Sequence, residues 1–106
     1  MKNEVIVNKL ISYTEKILTY CAGYDYVSFC SDSKLVEACV FNLSQMGEFV
    51  NHVDEDFVAA HPAIPWRNMY GLRNRIVHNY EGVNLQLIWE IIEVDLPPLL
   101  INLKEI

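Results

Sequence analysis

The sequence predicts an all-α fold, an antiparallel bundle of four main helices with a Pro-kinked C-terminal helix. Three observations predict it. Apolar residues recur at steps of three and four along nearly the whole chain, which places them on one face of a helix. Glycine and proline are scarce, at four each, so few breaks are available. The chain has 106 residues, enough for one core and too few for two, so residues 1–106 are expected to form a single helical domain.

The elements follow in order. Ile6, Leu10, Ile17, Leu18 and Cys21 form one apolar stripe, and a first helix over 5–21 is expected, with Gly23 ending it. Gly23 to Ser33 reads as a polar and aromatic connection carrying Tyr24 and Tyr26. Asp32 or Ser33 can cap the second helix. That helix holds Leu35, Val36, Cys39, Val40, Leu43, Met46, Val50 and Val53 at a 3.6 period. A short helix follows around 56–60, and Pro62 stops it. Pro65 suits the first turn of a helix, where its missing N–H costs nothing. This third helix is expected to run from Pro65 to His78, with Glu81-Gly82-Val83 breaking it. Asn84 caps the last helix, whose apolar face is Leu85, Ile88, Trp89, Ile92 and Val94. Pro97-Pro98 falls inside this run and predicts a kink before a final stretch over 99–103.

Composition excludes several classes. A hydrophobic fraction of 52% excludes a disordered tail. No apolar run approaches the ~18 residues of a membrane span. Met1-Lys2-Asn3-Glu4 lacks the basic start of a signal peptide, so a cytoplasmic protein is expected. The three cysteines, Cys21, Cys30 and Cys39, are odd in number and form no C-x-x-C pair, which indicates neither a disulfide framework nor a zinc ribbon. Cys39 reads as a small core residue. The phosphate-loop and dinucleotide-binding glycine patterns are absent.

The charge distribution singles out one segment. The net charge is -6, yet the three arginines, Arg67, Arg73 and Arg75, fall within nine residues. No acid interrupts 65–80, which also holds Asn68, Tyr70, Asn74, His78, Asn79 and Tyr80. On a continuous helix Asn74 and His78, four apart, would share a face, and the long Arg73 side chain could swing back toward it. Arginine presents a planar fork matched to phosphate oxygens. Histidine exchanges a proton near neutral pH. An RNA phosphodiester carries its own nucleophile, the 2′-OH, so its cleavage needs a base, an acid and positive charge, but neither a metal nor a protein nucleophile. One histidine per chain serves one proton role well; a symmetric dimer would bring two His78 and two Arg73 into one cleft. By spacing alone, such a segment is more often a solvated face with a C-terminal histidine favoured by the helix dipole.

These residues also carry a resemblance. Arg73-Asn74-Arg75-Ile76-Val77-His78-Asn79-Tyr80 resembles the R-N-x-x-x-H-x-Y signature of HepT-like toxins, a branch of the HEPN superfamily. Gln45-Met46-Gly47-Glu48 resembles the family's I-G-E segment, with Met46 in place of the usual isoleucine. Pro62-Ala63-Ile64-Pro65-Trp66 resembles its P-x-I-P-W helix entry. Gly82-Val83-Asn84, Trp89-Glu90-Ile91-Ile92 and Asp95-Leu96-Pro97 resemble its strand-free tail. Arg75 adds a second base inside the motif. The resemblance implies an all-helical homodimer acting as a metal-independent endoribonuclease without cofactor. Arg73 and His78 would be catalytic and Asn74 would orient. Arg67, Arg75 and Tyr70 are candidate RNA contacts. It further implies a nucleotidyltransferase antitoxin of the MntA type, which adenylylates the motif tyrosine, here Tyr80, and silences the toxin. A bulky anion two residues from His78 would occupy and repel the RNA phosphate. The alternative is a non-catalytic HEPN binding module that partners a nucleotidyltransferase.

Other candidates are weaker. His52, Asp54, Glu55, Asp56 and His61 form a small His/carboxylate cluster, but acids at a helix junction are usually caps and solvated charge, and no metal site is expected. Glu48 reads equally as a site residue or as a surface acid beside Gly47, where another helix approaches. Tyr20, Tyr24 and Tyr26 could stack on bases, although edge packing of the bundle is the commoner role. Trp66 and Trp89 are assigned to the core or a dimer face.

Overall fold

A computed structural model describes residues 1–78 and 82–106. Helix α1 spans Asn3–Cys21 and α3 spans Ser33–Val50, and these are the longest elements. They pack antiparallel: Asn3 meets Asp54, Tyr13 stacks on Phe49, and Cys21 meets Cys39, so contacts run backward along α3 as α1 advances. Ile6, Leu10 and Ile17 of α1 close over Leu43, Met46 and Val50 of α3, all fully buried. Each such side chain contributes about 1.5–3 kcal/mol of apolar burial. Thr14 and Asn42 are buried without penalty, because each donates to the carbonyl four residues back, Leu10 O at 2.7 Å and Ala38 O at 2.7 Å.

The ends of these helices follow their local chemistry. Gly23 takes φ +84° just beyond the Ala22 cap of α1, the left-handed turn in which glycine ends helices. The segment expected as a plain connection contains a further helix, α2, over Tyr26–Ser31. Its signal is an Asp-x-x-Ser capping box: the Ser28 N–H donates to Asp25 Oδ1 at 2.8 Å, and the Asp25 N–H donates to Ser28 Oγ at 3.0 Å. Asp32 then caps α3, accepting from the Leu35 N–H at 3.1 Å through one oxygen and from the Tyr24 hydroxyl at 2.8 Å through the other. Helix α4 spans Glu55–Ala60 and ends before Pro62.

The third main helix differs most from expectation. The predicted run from Pro65 to His78 is two single turns, α5 over Trp66–Met69 and α6 over Leu72–Ile76, followed by a strand, β1, at Val77–His78. β1 pairs antiparallel with β2, Gly82–Val83, in the register Val77 to Val83 and His78 to Gly82. The expectation of a strand-free tail is therefore corrected. The Asn84 N–H donates to Ile76 O at 2.8 Å, which extends the pairing by one bond. The Asn84 side chain accepts from the Leu87 N–H at 3.1 Å, the expected cap.

The C-terminal run holds α7 over Leu85–Glu90, a π segment over Ile91–Asp95 and α8 over Leu96–Lys104. The irregularity expected at Pro97-Pro98 takes the form of this π segment, just upstream. Two adjacent prolines remove two N–H donors and crowd the preceding turn. The wider π turn relieves that crowding, with the Leu96 N–H reaching Ile91 O five residues back. Ile88, Ile92, Leu96 and Leu103 complete the core from this side. Lys104 meets Glu15 of α1 at 3.0 Å on the surface. Among the described residues, no helix is long and apolar enough to cross a membrane.

Candidate functional site

The basic segment is positioned by one close approach. Gly47 lies buried on α3, and a Cβ there would stand 3.1 Å from Met69 O and 3.4 Å from the Leu72 Cβ. Only a glycine lets α5 and α6 lie this near to α3 without displacement. The chain then turns between them: Tyr70 is extended at ψ 134° and Gly71 adopts φ +63°. Trp66 anchors the entry, donating from Nε1 to His61 O at 2.9 Å with its ring buried.

The corner at Gly71 turns Arg73 and Asn74 outward beside α3, and both are exposed. A cleft of about 250 Å³ forms there, lined by Ser44 and Glu48 of α3, by Asn51 just past its end, and by Arg73 and Asn74. Arg73 also lines a larger, mostly apolar cleft of about 580 Å³ with Val40, Phe41, Val83 and Leu85. Arg73 and Ser44 thus stand at the junction of the two. His78 is exposed on β1 and pairs with Gly82, which lines the larger cleft.

Arg73 and Asn74 are brought together. Asn74 and His78 do not share a helical face, because the helix ends at Ile76 and His78 continues on an extended strand. Arg75 points elsewhere, into a separate cleft of about 280 Å³ with Asn68, Asp95 and Asn102. Arg67 and Tyr70 are exposed and line neither cleft that holds Arg73. Tyr80 and Asn79 lie outside the described residues.

Sequence reading missed Ser44, Asn51 and Phe41. Phe41 has a signal in hindsight: it is a large apolar residue off the buried stripe of α3, and it is 58% exposed. Glu48, left open between two readings, faces the cleft that holds Arg73 and Asn74. Chemically, the corner offers a guanidinium fork for an anion and a neighbouring carboxamide, and His78 follows on the strand after α6.

The Ribonuclease HepT-like family model matches residues 10–106. The chain belongs to the HepT-like ribonuclease family. Relatives agree. A Caldanaerobacter subterraneus subsp. tengcongensis protein, provisionally named an RNase, is 35% identical over 101 residues, covering 89% of this chain and 90% of its own. A Methanocaldococcus jannaschii protein, also provisionally named an RNase, is 29% identical over 97 residues, covering 92% of this chain and 80% of its own. A Thermococcus cleftensis protein, provisionally named ribonuclease HepT, is 34% identical over 74 residues, covering 70% of this chain and 67% of its own. No solved structure matches the chain at comparable significance. The family is one of ribonucleases.

Proposed function

We propose that this HepT-like chain is a single-domain, cytoplasmic, metal-independent endoribonuclease toxin that works as a homodimer. The observation that carries the reading is the placement of Arg73. It stands exposed where two clefts meet, beside Asn74 and one element before His78.

His78 takes the proton from the RNA 2′-OH. The freed oxygen attacks the adjacent phosphorus, and the P–O5′ bond breaks. The products are a 2′,3′-cyclic phosphate and a 5′-hydroxyl, whose proton comes from the second imidazole of the dimer. Arg73 neutralises the charge that builds on the phosphorane oxygens. Asn74 orients His78 or the phosphate, while Arg67, Arg75 and Tyr70 contact the flanking strand. The apolar surface beside Arg73 supports pairing of two copies, since Phe41 lines that cleft and is 58% exposed. A nucleotidyltransferase antitoxin would silence the site by adenylylating Tyr80. The phenol oxygen attacks the α-phosphate of ATP, and pyrophosphate leaves.

The test is incubation of the protein with total RNA in chelator, beside His78→Ala, after an intact mass has shown Tyr80 to be unmodified. Cleavage by the parent alone, leaving cyclic-phosphate ends, is the expected result. No cleavage from an unmodified dimer would overturn the reading in favour of a binding module that partners a nucleotidyltransferase.

A further inference from the structure

Cys21 ends α1 and Cys39 lies in the middle of α3, and their sulfurs are 3.6 Å apart. The contact bridges the two longest helices near the α2 connection, across a sequence separation of 18 residues. A disulfide needs sulfurs at about 2.05 Å, so closure requires each thiol to move by less than an ångström. The third cysteine, Cys30, is only part-buried and sits in the apolar cleft beside Arg73.

The two thiols are not equally reachable. Cys39 is 0% exposed, whereas Cys21 is 6% exposed and lines a surface cleft of about 190 Å³ with Gly23, Tyr24 and Pro97. A small oxidant therefore meets Cys21 first.

We propose that Cys21 and Cys39 are an oxidant-reactive dithiol that closes to a disulfide in the folded protein, with a hydroperoxide as the oxidant. The Cys21 thiolate attacks the peroxide oxygen, the O–O bond breaks, and water or an alcohol leaves. Cys21 is then a sulfenic acid. The Cys39 sulfur attacks the Cys21 sulfur, loses its proton and releases water. Two thiols and one hydroperoxide become one disulfide, one water and one alcohol, or two waters when the oxidant is hydrogen peroxide. The hydrogen bond between the two thiols assists the first step, because it lowers the Cys21 pKa against the opposing effects of burial and Glu93. The same contact holds the Cys39 thiol protonated, with burial adding to it, which fits a residue that resolves rather than attacks. The closed bridge ties the C-terminal end of α1 to α3 and encloses α2 in its loop.

The experiment uses a Cys30→Ser variant, which leaves one cysteine in each of the tryptic peptides 17–34 and 35–67. Folded, reduced protein is treated with hydrogen peroxide and alkylated under denaturing conditions. The expected result is loss of two hydrogens in intact mass and a cross-linked pair of these peptides. The melting temperature should rise on the order of 10 °C and fall back with a thiol reductant. Wild-type protein, run in parallel, should retain alkylation at Cys30 alone. Both thiols alkylated, Cys21 stopped at the sulfinic acid, or a bridge formed only in unfolding urea would each overturn the proposal.

Discussion

A side-chain carbon at Gly47 would sit 3.1 Å from the carbonyl oxygen of Met69, so the path of the basic segment depends on the absence of one methyl group on α3. The atom it would meet is backbone, which cannot rotate away. Gly47→Ala should destabilise the protein by about 1–3 kcal/mol through overpacking, measured by chemical denaturation. It should also lower RNA cleavage, because α5 and α6 would be displaced along with Arg73. An unchanged denaturation midpoint would mean that the corner gives way freely.

Gly71 is held at φ +63° between α5 and α6. A Cβ there meets no atom within 4 Å, so the effect of substitution is conformational rather than steric. Gly71→Ala should cost on the order of 1 kcal/mol. Gly71→Asn should cost less, since asparagine tolerates the left-handed region better. Equal melting curves for the two variants would contradict this.

Arg73→Lys keeps the charge and removes the planar fork. If Arg73 holds the phosphate through two parallel bonds, the cleavage rate should fall by roughly tenfold or more. Melting temperature should be unchanged, because Arg73 is exposed. Full activity in Arg73→Lys would reduce its role to simple electrostatic attraction.

Phe41 stands off the buried stripe of its helix and lines the apolar cleft beside Arg73. Phe41→Glu should leave the monomer folded while shifting sedimentation toward single chains, and RNA cleavage should fall with it. A variant that stays dimeric and active would remove this face from the interface.

Asp32 joins the turn between α1 and α2, at Tyr24, to the start of α3, at Leu35, through its two carboxylate oxygens. The Tyr24 hydroxyl, then the Leu35 N–H, hold its pKa below the usual carboxylate value. A depressed folded pKa contributes stability that is present above the unfolded value of about 3.9 and lost as pH falls through the folded one. Tyr24 is shifted upward, first by the same bond and then by the Asp32 charge. Its contribution is present below the unfolded value of about 10 and lost as pH rises through the folded one. The pair should therefore stabilise the protein between those limits. Asp32→Asn should flatten the acid limb of a stability profile measured by denaturation from pH 2 to 7. An unaltered acid limb would contradict the linkage.

The two long helices were readable because their buried residues keep a 3.6 period for many turns, and Asp32 and Asn84 were readable as caps because a short polar side chain precedes each apolar run. Helix α2 was missed: its six residues are too few for periodicity, and the Asp25/Ser28 capping box lies among aromatics that resemble a loop. Over 65–78, Pro65 suits a helix entry and the next expected break is Glu81-Gly82-Val83, so one helix is the sequence expectation; Trp66, Met69, Leu72 and Ile76 are in fact all buried at helical spacing. That spacing persists across the break at Gly71 because both short turns pack on the same side of α3. The candidate site residues were legible as the one basic segment, Arg73 to His78. Their neighbours Ser44, Asn51 and Phe41 were not, because they come from α3 and its C-terminal end, far earlier in the chain.

The sequence by itself determined the all-α bundle, the family and the basic segment in an acidic chain, since helical period and motif spacing are local properties. Tertiary structure alone decided that Arg73 and Asn74 face α3 while Arg75 faces α8, and that His78 stands on a strand. It alone decided that Cys21 meets Cys39. These outcomes depend on how closely Gly47 lets the chain approach and on the register of α1 against α3, distances between distant residues that no local pattern encodes.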